Sequence, residues 1–303
     1  MKGLITSQRE AFLRRLIEQG TWGFSRFDKY GCKKIASNAD SGQKTSVQLS
    51  NLLLDRVCQR LGINPDITER KKEGQTAGNE FEEACAWFLQ QTFPRLESLR
   101  PGKWDIIQVR QRNNDATLGR FEQYSHLSEL TSLAEKHKEL RNFLGDGYTV
   151  SPDVIITREP ESDADINQLT PIVDDLTARN TMLRRSNHSG DKALPLLHAS
   201  ISCKFTMRSD RAQNTRTEAL NLIRSRKGRT PHITSVTAEP MPNRLASLAL
   251  GTGDLDYVYH FALYELIECC RELDRDDYLD TLMSMIEGKR LRDISDLPFD
   301  LAI

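Results

Sequence analysis

The stretch HASISCKFTMRSDRAQNTRTEALNLI, residues 198–223, decides the fold. Its first half alternates in the manner of a strand, and its second half spaces its apolar residues like a helix. Three more segments carry strand patterns: WDIIQVRQ (104–111), YTVSPDVIITR (148–158) and PHITSVTAEP (231–240). Helical segments alternate with them, so the chain reads as an α/β protein with a mixed central β-sheet flanked by helices. One residue breaks the pattern. Lys204 is a charge inside the strand, and Arg208, Asp210 and Arg211 crowd the turn that follows.

Helical patterns are strongest in SQREAFLRRLIEQG, with Ser7 as the expected cap, and in VQLSNLLLDRVCQRLG, which stops at Gly62. TAGNEFEEACAWFLQQTF opens at Thr76, and DLDYVYHFALYELIECCREL, residues 254–273, reads as one long, largely buried helix. Between the first two, YGCKKIASNADSGQKTS is rich enough in turn formers to read as a loop. Residues 159–193, rich in Asp, Asn and Ser, form an excursion between the second and third strands. No repeat or linker divides the chain, and a single domain over 1–303 is expected.

A chain of 303 residues, 38% hydrophobic and 28% charged, can bury a substantial core and lies outside the disordered class. No apolar run approaches the length needed to span a bilayer, and charges interrupt the N-terminal stretch where a signal core would lie. The six cysteines lack zinc spacing and read as reduced thiols of a cytoplasmic protein. The net charge of −1 excludes a uniformly basic surface, but residues 204–229 hold eight Lys/Arg against two acids. That asymmetry points to a local face for a polyanion.

The strand lysine fits hydrolytic chemistry on such a polyanion. Asp153 follows Pro152 and precedes a Val-Ile-Ile run, so its carboxylate stands at the mouth of a buried strand. Capping a turn is the common use of such an Asp, and holding a metal is the sharper one. Phosphodiester hydrolysis calls for divalent ions and for a cation or base beside the attacking water. Hard ions such as Mg²⁺ take carboxylate and water oxygens, so one Asp is too few. Ser202 stands two residues before Lys204, where a second carboxylate would be wanted. Glu218, fourteen residues after Lys204, can be returned to that place by the helix. Glu82 is another candidate, because it shares a helical stripe with Cys85, Ala86 and Leu89. Its alternative use is as an acid favoured by the helix dipole.

PD followed by SCK, with a glutamate fourteen residues beyond the lysine, resembles the rearranged PD-(D/E)XK nuclease motif. The form is that of the type II restriction endonucleases related to NgoMIV. The blocks SNAD, GQTAGNEFE, PDVIITR, PLLHASISCKFTMRSDRAQNTRTEALNLIRSRKGRTPH, VTAEPMPNR, LALGTGDLDYVYHFALYELI and GKRLRDISDLPFDLA are similar to that group's own. Departures fall mainly in a longer N-terminal third and in 159–193. The resemblance implies a Mg²⁺-dependent endonuclease with a two-metal site. Asp153 would bridge the metals, Glu218 would be the displaced carboxylate, and Lys204 would orient or help deprotonate the attacking water. Glu82 would be a further acidic ligand or water-positioning group, with Ser202 close by. Cys203 would offer only its main-chain carbonyl, a thiol being too soft for Mg²⁺.

An arginine fork matches O6 and N7 of guanine, and a carboxylate accepts from N4 of cytosine. Arg208, Asp210 and Arg211 therefore suit adjacent G·C pairs, although a local ion-pair cluster is the ordinary use of such a turn. By resemblance they read the CCGG core, Asp40 and Arg244 read the outer G·C pair of GCCGGC, and Gln75 reads the minor groove. The run Arg224 to Arg229 is expected on phosphates. The resemblance also implies 5′-staggered cuts in double-stranded DNA and a homotetramer built as a dimer of dimers. Two other readings use the same residues: a structure-directed repair or recombination nuclease, and a DNA-binding protein without catalysis.

Overall fold

The alternating residues 196–204 form the longest strand of a six-stranded sheet. The computed structural model describes residues 2–109, 118–128, 133, 152–185, 193–251 and 253–303, with only the backbone at Ser209. In chain order the elements are α1 (Leu4–Glu18), β1 (Phe24–Lys29), β2 (Cys32–Ala36), α2 (Lys44–Leu61), β3 (Ile67–Thr68), α3 (Gly74–Thr92), β4 (Trp104–Gln108) and β5 (Val154–Arg158). They continue as β6 (Leu196–Lys204), α4 (Ser209–Ser225), β7 (His232–Thr237), α5 (Pro242–Ala249), β8 (Tyr257–His260), α6 (Leu263–Glu272), α7 (Asp276–Glu287) and β9 (Leu291–Asp293), with short helical turns between.

The large sheet runs β4-β5-β6-β7-β8-β9. Its first three strands are antiparallel neighbours, whereas β6 to β9 are parallel, with helices in the connections. The mixed α/β sheet expected from the sequence is thus observed. The register places the site. Val154 at the start of β5 lies opposite Ile201 near the end of β6, so Asp153 and Lys204 reach the same sheet edge. β6 is buried along nearly its whole length, and α3 covers it with Phe81, Cys85, Phe88 and Leu89, all within one core. Phe81 meets Phe205 at 5.6 Å and Phe261 at 6.3 Å between ring centroids, fixing α3 beneath that edge.

Several expectations are corrected. The segment read as a loop, YGCKKIASNADSGQKTS, contains β2 and buries Ile35, Ala36, Ser37, Asn38 and Ala39. It pairs with β1 through the two-residue turn Tyr30-Gly31, both at positive φ (60° and 75°), and β3 completes a second, three-stranded sheet. The apolar segment 254–273 is not one helix, because Tyr257–His260 is strand β8 and only Leu263–Glu272 is helical. Helix α1 starts at Leu4 rather than behind Ser7, whose hydroxyl donates back to the Gly3 carbonyl at 3.1 Å. Helix α3 opens at Gly74, two residues before Thr76, within ordinary boundary scatter. Gly62 ends α2 in the left-handed conformation, at φ 65°. Of the 159–193 excursion, the part to Arg185 closes on itself through a bridge between Glu161 and Arg184. Residues 186–192 lie outside the described residues, as do 110–111 and 148–151 of the expected strands.

Candidate active site and DNA-reading residues

Asp153 is where the sheet edge becomes chemical. Its Oδ2 accepts from Lys204 Nζ at 2.7 Å and from the Cys203 main-chain N–H at 2.7 Å, with Ser202 Oγ at 3.5 Å. Its Oδ1 has no hydrogen bond among the described residues. The carboxylate and ammonium are mostly buried, with side-chain exposures of 16% and 20%. A strand residue points its N–H and C=O to the same side, so the Cys203 carbonyl also faces the Asp153 side of β6. The β7 side is used instead by the carbonyls of Ser202, which accepts from Ser235, and Lys204, which accepts from Thr237.

Two more carboxylates share this field. Burial and the nearby Asp153 charge push the Glu82 pKa up to about 7, against the pull of Lys204 and the Gln108 side chain. Glu82 lies more than two turns into α3, beyond the first turn where a helix dipole favours an acid. The dipole therefore does not account for it. Glu218, on α4, is likewise raised by burial and by Asp153, while Lys204 opposes. Burial presses the Lys204 pKa down, but Asp153 and then Glu218 outweigh it, and the ammonium is held above its ordinary value. Burial, with the adjoining Cys85, drives the Cys203 thiol upward, so the sulfur stays protonated. Thr215 Oγ1, 3.4 Å from Ser202 Oγ, is an additional neighbour that the sequence did not reveal.

Among the described residues no three His, Cys, Asp or Glu side chains are drawn together as a ready metal cage. The donor set nevertheless fits a hard dication. It consists of carboxylate and carbonyl oxygens, and the Asp153 charge raises the pKa of both Glu82 and Glu218, a repulsion that a bound cation relieves. Asp153, Glu218 and the Cys203 carbonyl are the residues able to hold it, with Glu82 beside them.

The candidate base-reading residues Arg208, Asp210 and Arg211 follow directly from the end of β6. Arg208 and Asp210 are exposed where β6 passes into α4. No ion pair links Arg208, Asp210 and Arg211 among the described residues, so the ordinary cluster is not what forms there. Arg211 instead turns back, donating to the carbonyl of Thr206 at 3.0 Å and to its hydroxyl at 2.8 Å. Asp40 and Arg244, 204 residues apart in sequence, meet in an ion pair of 2.5 Å. That hydrogen bond, with the Gly42 N–H, holds the Asp40 carboxyl below the usual range. Gln75 is exposed on the first turn of α3.

The basic run lies elsewhere. Helix α4 has 17 residues and spans about 25 Å at 1.5 Å per residue, with Arg224 and Arg226 at the end remote from Lys204. Arg226 donates to the carbonyl of Ile223 on its own helix, and Arg229 bears on His198 and His232 near the opposite sheet edge. Sequence reasoning also missed Glu239, which is 1% exposed and raised to about 7 by burial. Its only signal was a lone acid in the otherwise uncharged run SVTAEPMP.

Residues 24–303 match the family described as NgoMIV restriction enzyme. Over 303 residues the chain is 44% identical to the Type II restriction enzyme NgoMIV of Neisseria gonorrhoeae, covering 100% of both chains. That match runs through the N-terminal third, where the sequence alone had placed the main departure. The chain therefore belongs to the NgoMIV family of type II restriction endonucleases.

Proposed function

We propose that this restriction endonuclease binds double-stranded DNA at GCCGGC, or a close relative with a CCGG core, and cuts both strands with a 5′ stagger in the presence of Mg²⁺. One observation carries the reading: Asp153, Lys204, Glu82 and Glu218 share one electrostatic field immediately ahead of the exposed Arg208 and Asp210. One or two Mg²⁺ ions held by Asp153, Glu218 and the Cys203 carbonyl would supply charge stabilisation for the attacking and leaving oxygens. Lys204 stays an ammonium beside Asp153, so its part is to orient the attacking water and neutralise developing charge rather than to take a proton. Glu82, at about 7, is better matched to positioning that water and accepting its proton near neutral pH. Ser202 steadies the Asp153 carboxylate.

Arg208 and Asp210 suit the inner G·C pairs, with Arg211 rotating from Thr206 to join them. Asp40 and Arg244 suit the outer pair, each replacing its partner in the ion pair by a base edge, and Gln75 suits the minor groove. The working assembly is a homotetramer of two dimers, each holding one site. Plasmid cleavage with Mg²⁺ followed by run-off sequencing tests site and stagger together. Breaks confined to GCCGGC with 5′ overhangs are expected, with none in EDTA. Breaks scattered over the plasmid would overturn the specificity, and undiminished cutting in EDTA would overturn the metal dependence.

A further inference from the structure

Glu239 lies just beyond β7, and burying its carboxylate is costly unless it is fully engaged. An apolar side chain would fill the space more cheaply. What a carboxylate adds is two oxygens that can hold separate pieces of chain at one point. Glu239 Oε2 accepts from the Met207 N–H at 2.9 Å, and Oε1 accepts from the Met241 N–H at 3.2 Å. Met207 immediately precedes Arg208, and Met241 is the residue from which α5, with Arg244 in its first turn, departs. Arg244 Nη1 lies 3.7 Å from Glu239 Oε2 while Nη2 holds Asp40.

The surrounding backbone is tied to the same point. Lys204 O accepts from Thr237 Oγ1 at 2.7 Å and from the Ala238 N–H at 3.3 Å. Asn38 Nδ2 donates to Ala238 O at 2.8 Å, and its own amide oxygen accepts from Trp22 Nε1 at 3.1 Å. Three segments thus converge beside one buried acid: 38–40, carrying Asp40; 204–208, carrying Lys204 and Arg208; and 237–244, carrying Arg244.

We propose that Glu239 is a positioning residue for specificity, locking the reader of the inner G·C pairs and the reader of the outer pair into one rigid unit joined to the catalytic strand. The inference rests on the assignment of Arg208 and Asp210 to the inner pairs and of Asp40 and Arg244 to the outer one. Glu239 touches no base. Its effect is that a mismatch at either position is felt by both readers and by the end of β6.

The variant that separates this from simple packing is Glu239→Gln. Glutamine has the same shape but places an NH₂ against one of the two backbone N–H groups, so one tether is lost. Competition binding in Ca²⁺ would compare the cognate duplex with duplexes substituted at one inner or one outer pair. Glu239→Gln is expected to reduce discrimination on the order of tenfold at both positions, a part of what direct loss of a base contact gives. Combined with Asp210→Ala or with Arg244→Ala, it should be less than additive in each case, because each pair acts through a shared unit. A thermal unfolding midpoint that falls while discrimination stays intact would overturn the proposal and leave Glu239 a packing residue. Loss confined to the outer pair would also overturn it, since Glu239 would then serve Arg244 alone. If Asp210→Ala and Arg244→Ala themselves left discrimination unchanged, the reading assignment would be at fault, and the inference would fall with it. Should Glu239→Gln not fold, Glu239→Asp, which keeps the charge but is one methylene too short for both tethers, takes its place under the same criteria.

Discussion

Asp153 carries more of the candidate site than any other side chain, because one of its oxygens engages the lysine, a strand amide and a serine while the other has no hydrogen bond among the described residues. Asp153→Asn keeps the size but replaces the anion that holds Lys204 in place. The lysine is 20% exposed and can turn to solvent, so the expected loss of stability is small, about 1 kcal/mol. Cleavage is expected to fall by about 10³-fold or more, the scale on which preorganised electrostatic groups act. Cognate binding in Ca²⁺ should persist. Near-normal cleavage by this variant would remove Asp153 from the centre. This residue was legible as a candidate because it puts a carboxylate at the mouth of a buried Val-Ile-Ile strand, although a turn cap reads the same way in sequence. Lys204 was legible because it breaks the strand's alternation. Glu239 was not, since nothing local distinguishes a buried acid with two amide partners from an exposed one.

Helix α4 sets apart two groups of cations that the sequence had placed on one polyanion-binding face. Its first turn adjoins the sheet edge that carries Asp153 and Lys204, and its last turn lies about 25 Å away by helical rise. Arg208→Ala or Asp210→Ala should therefore collapse discrimination between GCCGGC and singly substituted duplexes, each base contact being worth about 1–3 kcal/mol. Arg226, bonded to the Ile223 carbonyl, sits where a cation favours a helix C-terminus. Arg226→Ala is expected to lower stability by about 0.5 kcal/mol and to leave the salt dependence of DNA binding unchanged. A reduction of that slope by about one counterion would return Arg226 to a phosphate. Other elements were misread for identifiable reasons. Tyr257–His260 has the aromatic and β-branched residues of a strand, but the apolar helix that follows within three residues made one continuous run, and such runs do not separate strand from helix. The β1–β2 hairpin turns through Tyr30-Gly31, where the Asn or Asp that usually announces such a turn is replaced by an aromatic residue.

Across the molecule, charge is buried where the two ends of the chain meet. Arg9 of α1 holds Asp293, at the end of β9, through two bonds of 2.8 Å, and Glu265 of α6 through bonds of 3.0 and 2.6 Å. Both carboxylates are almost wholly buried, and although Glu265 keeps Arg60 at 2.9 Å, Arg9→Ala takes the cation from Asp293 and is expected to cost about 3–5 kcal/mol in urea unfolding. A loss below about 1 kcal/mol would show that water reaches them. The remaining buried titratable groups set the acid limit. Burial holds His198 and His260 near 3 in the folded protein, against an ordinary 6.5 once unfolded. The unfolded chain thus binds more protons between these values, and the stability they contribute is present above 6.5 and lost as pH falls towards 3. Glu82 and Glu239, raised from 4.5 to about 7, act in the opposite direction: their contribution is present below 4.5 and lost as pH rises through 7. From 4.5 to 6.5 the two pairs offset one another. Below 4.5 the histidines are no longer offset, and their two protons give a slope of about 2.7 kcal/mol per pH unit. Carboxylates held below their ordinary range, such as Asp40 and Glu265, add to the fall. Urea unfolding without divalent ions should therefore show a nearly level stretch from pH 6.5 to 4.5 and a steep fall beneath it. Divalent cations bind the deprotonated carboxylates, so Ca²⁺ should raise the unfolding midpoint at pH 8 and do little at pH 5. A steady decline beginning at pH 6.5, or an equal effect of Ca²⁺ at both pH values, would mean that Glu82 is an ordinary ionised carboxylate.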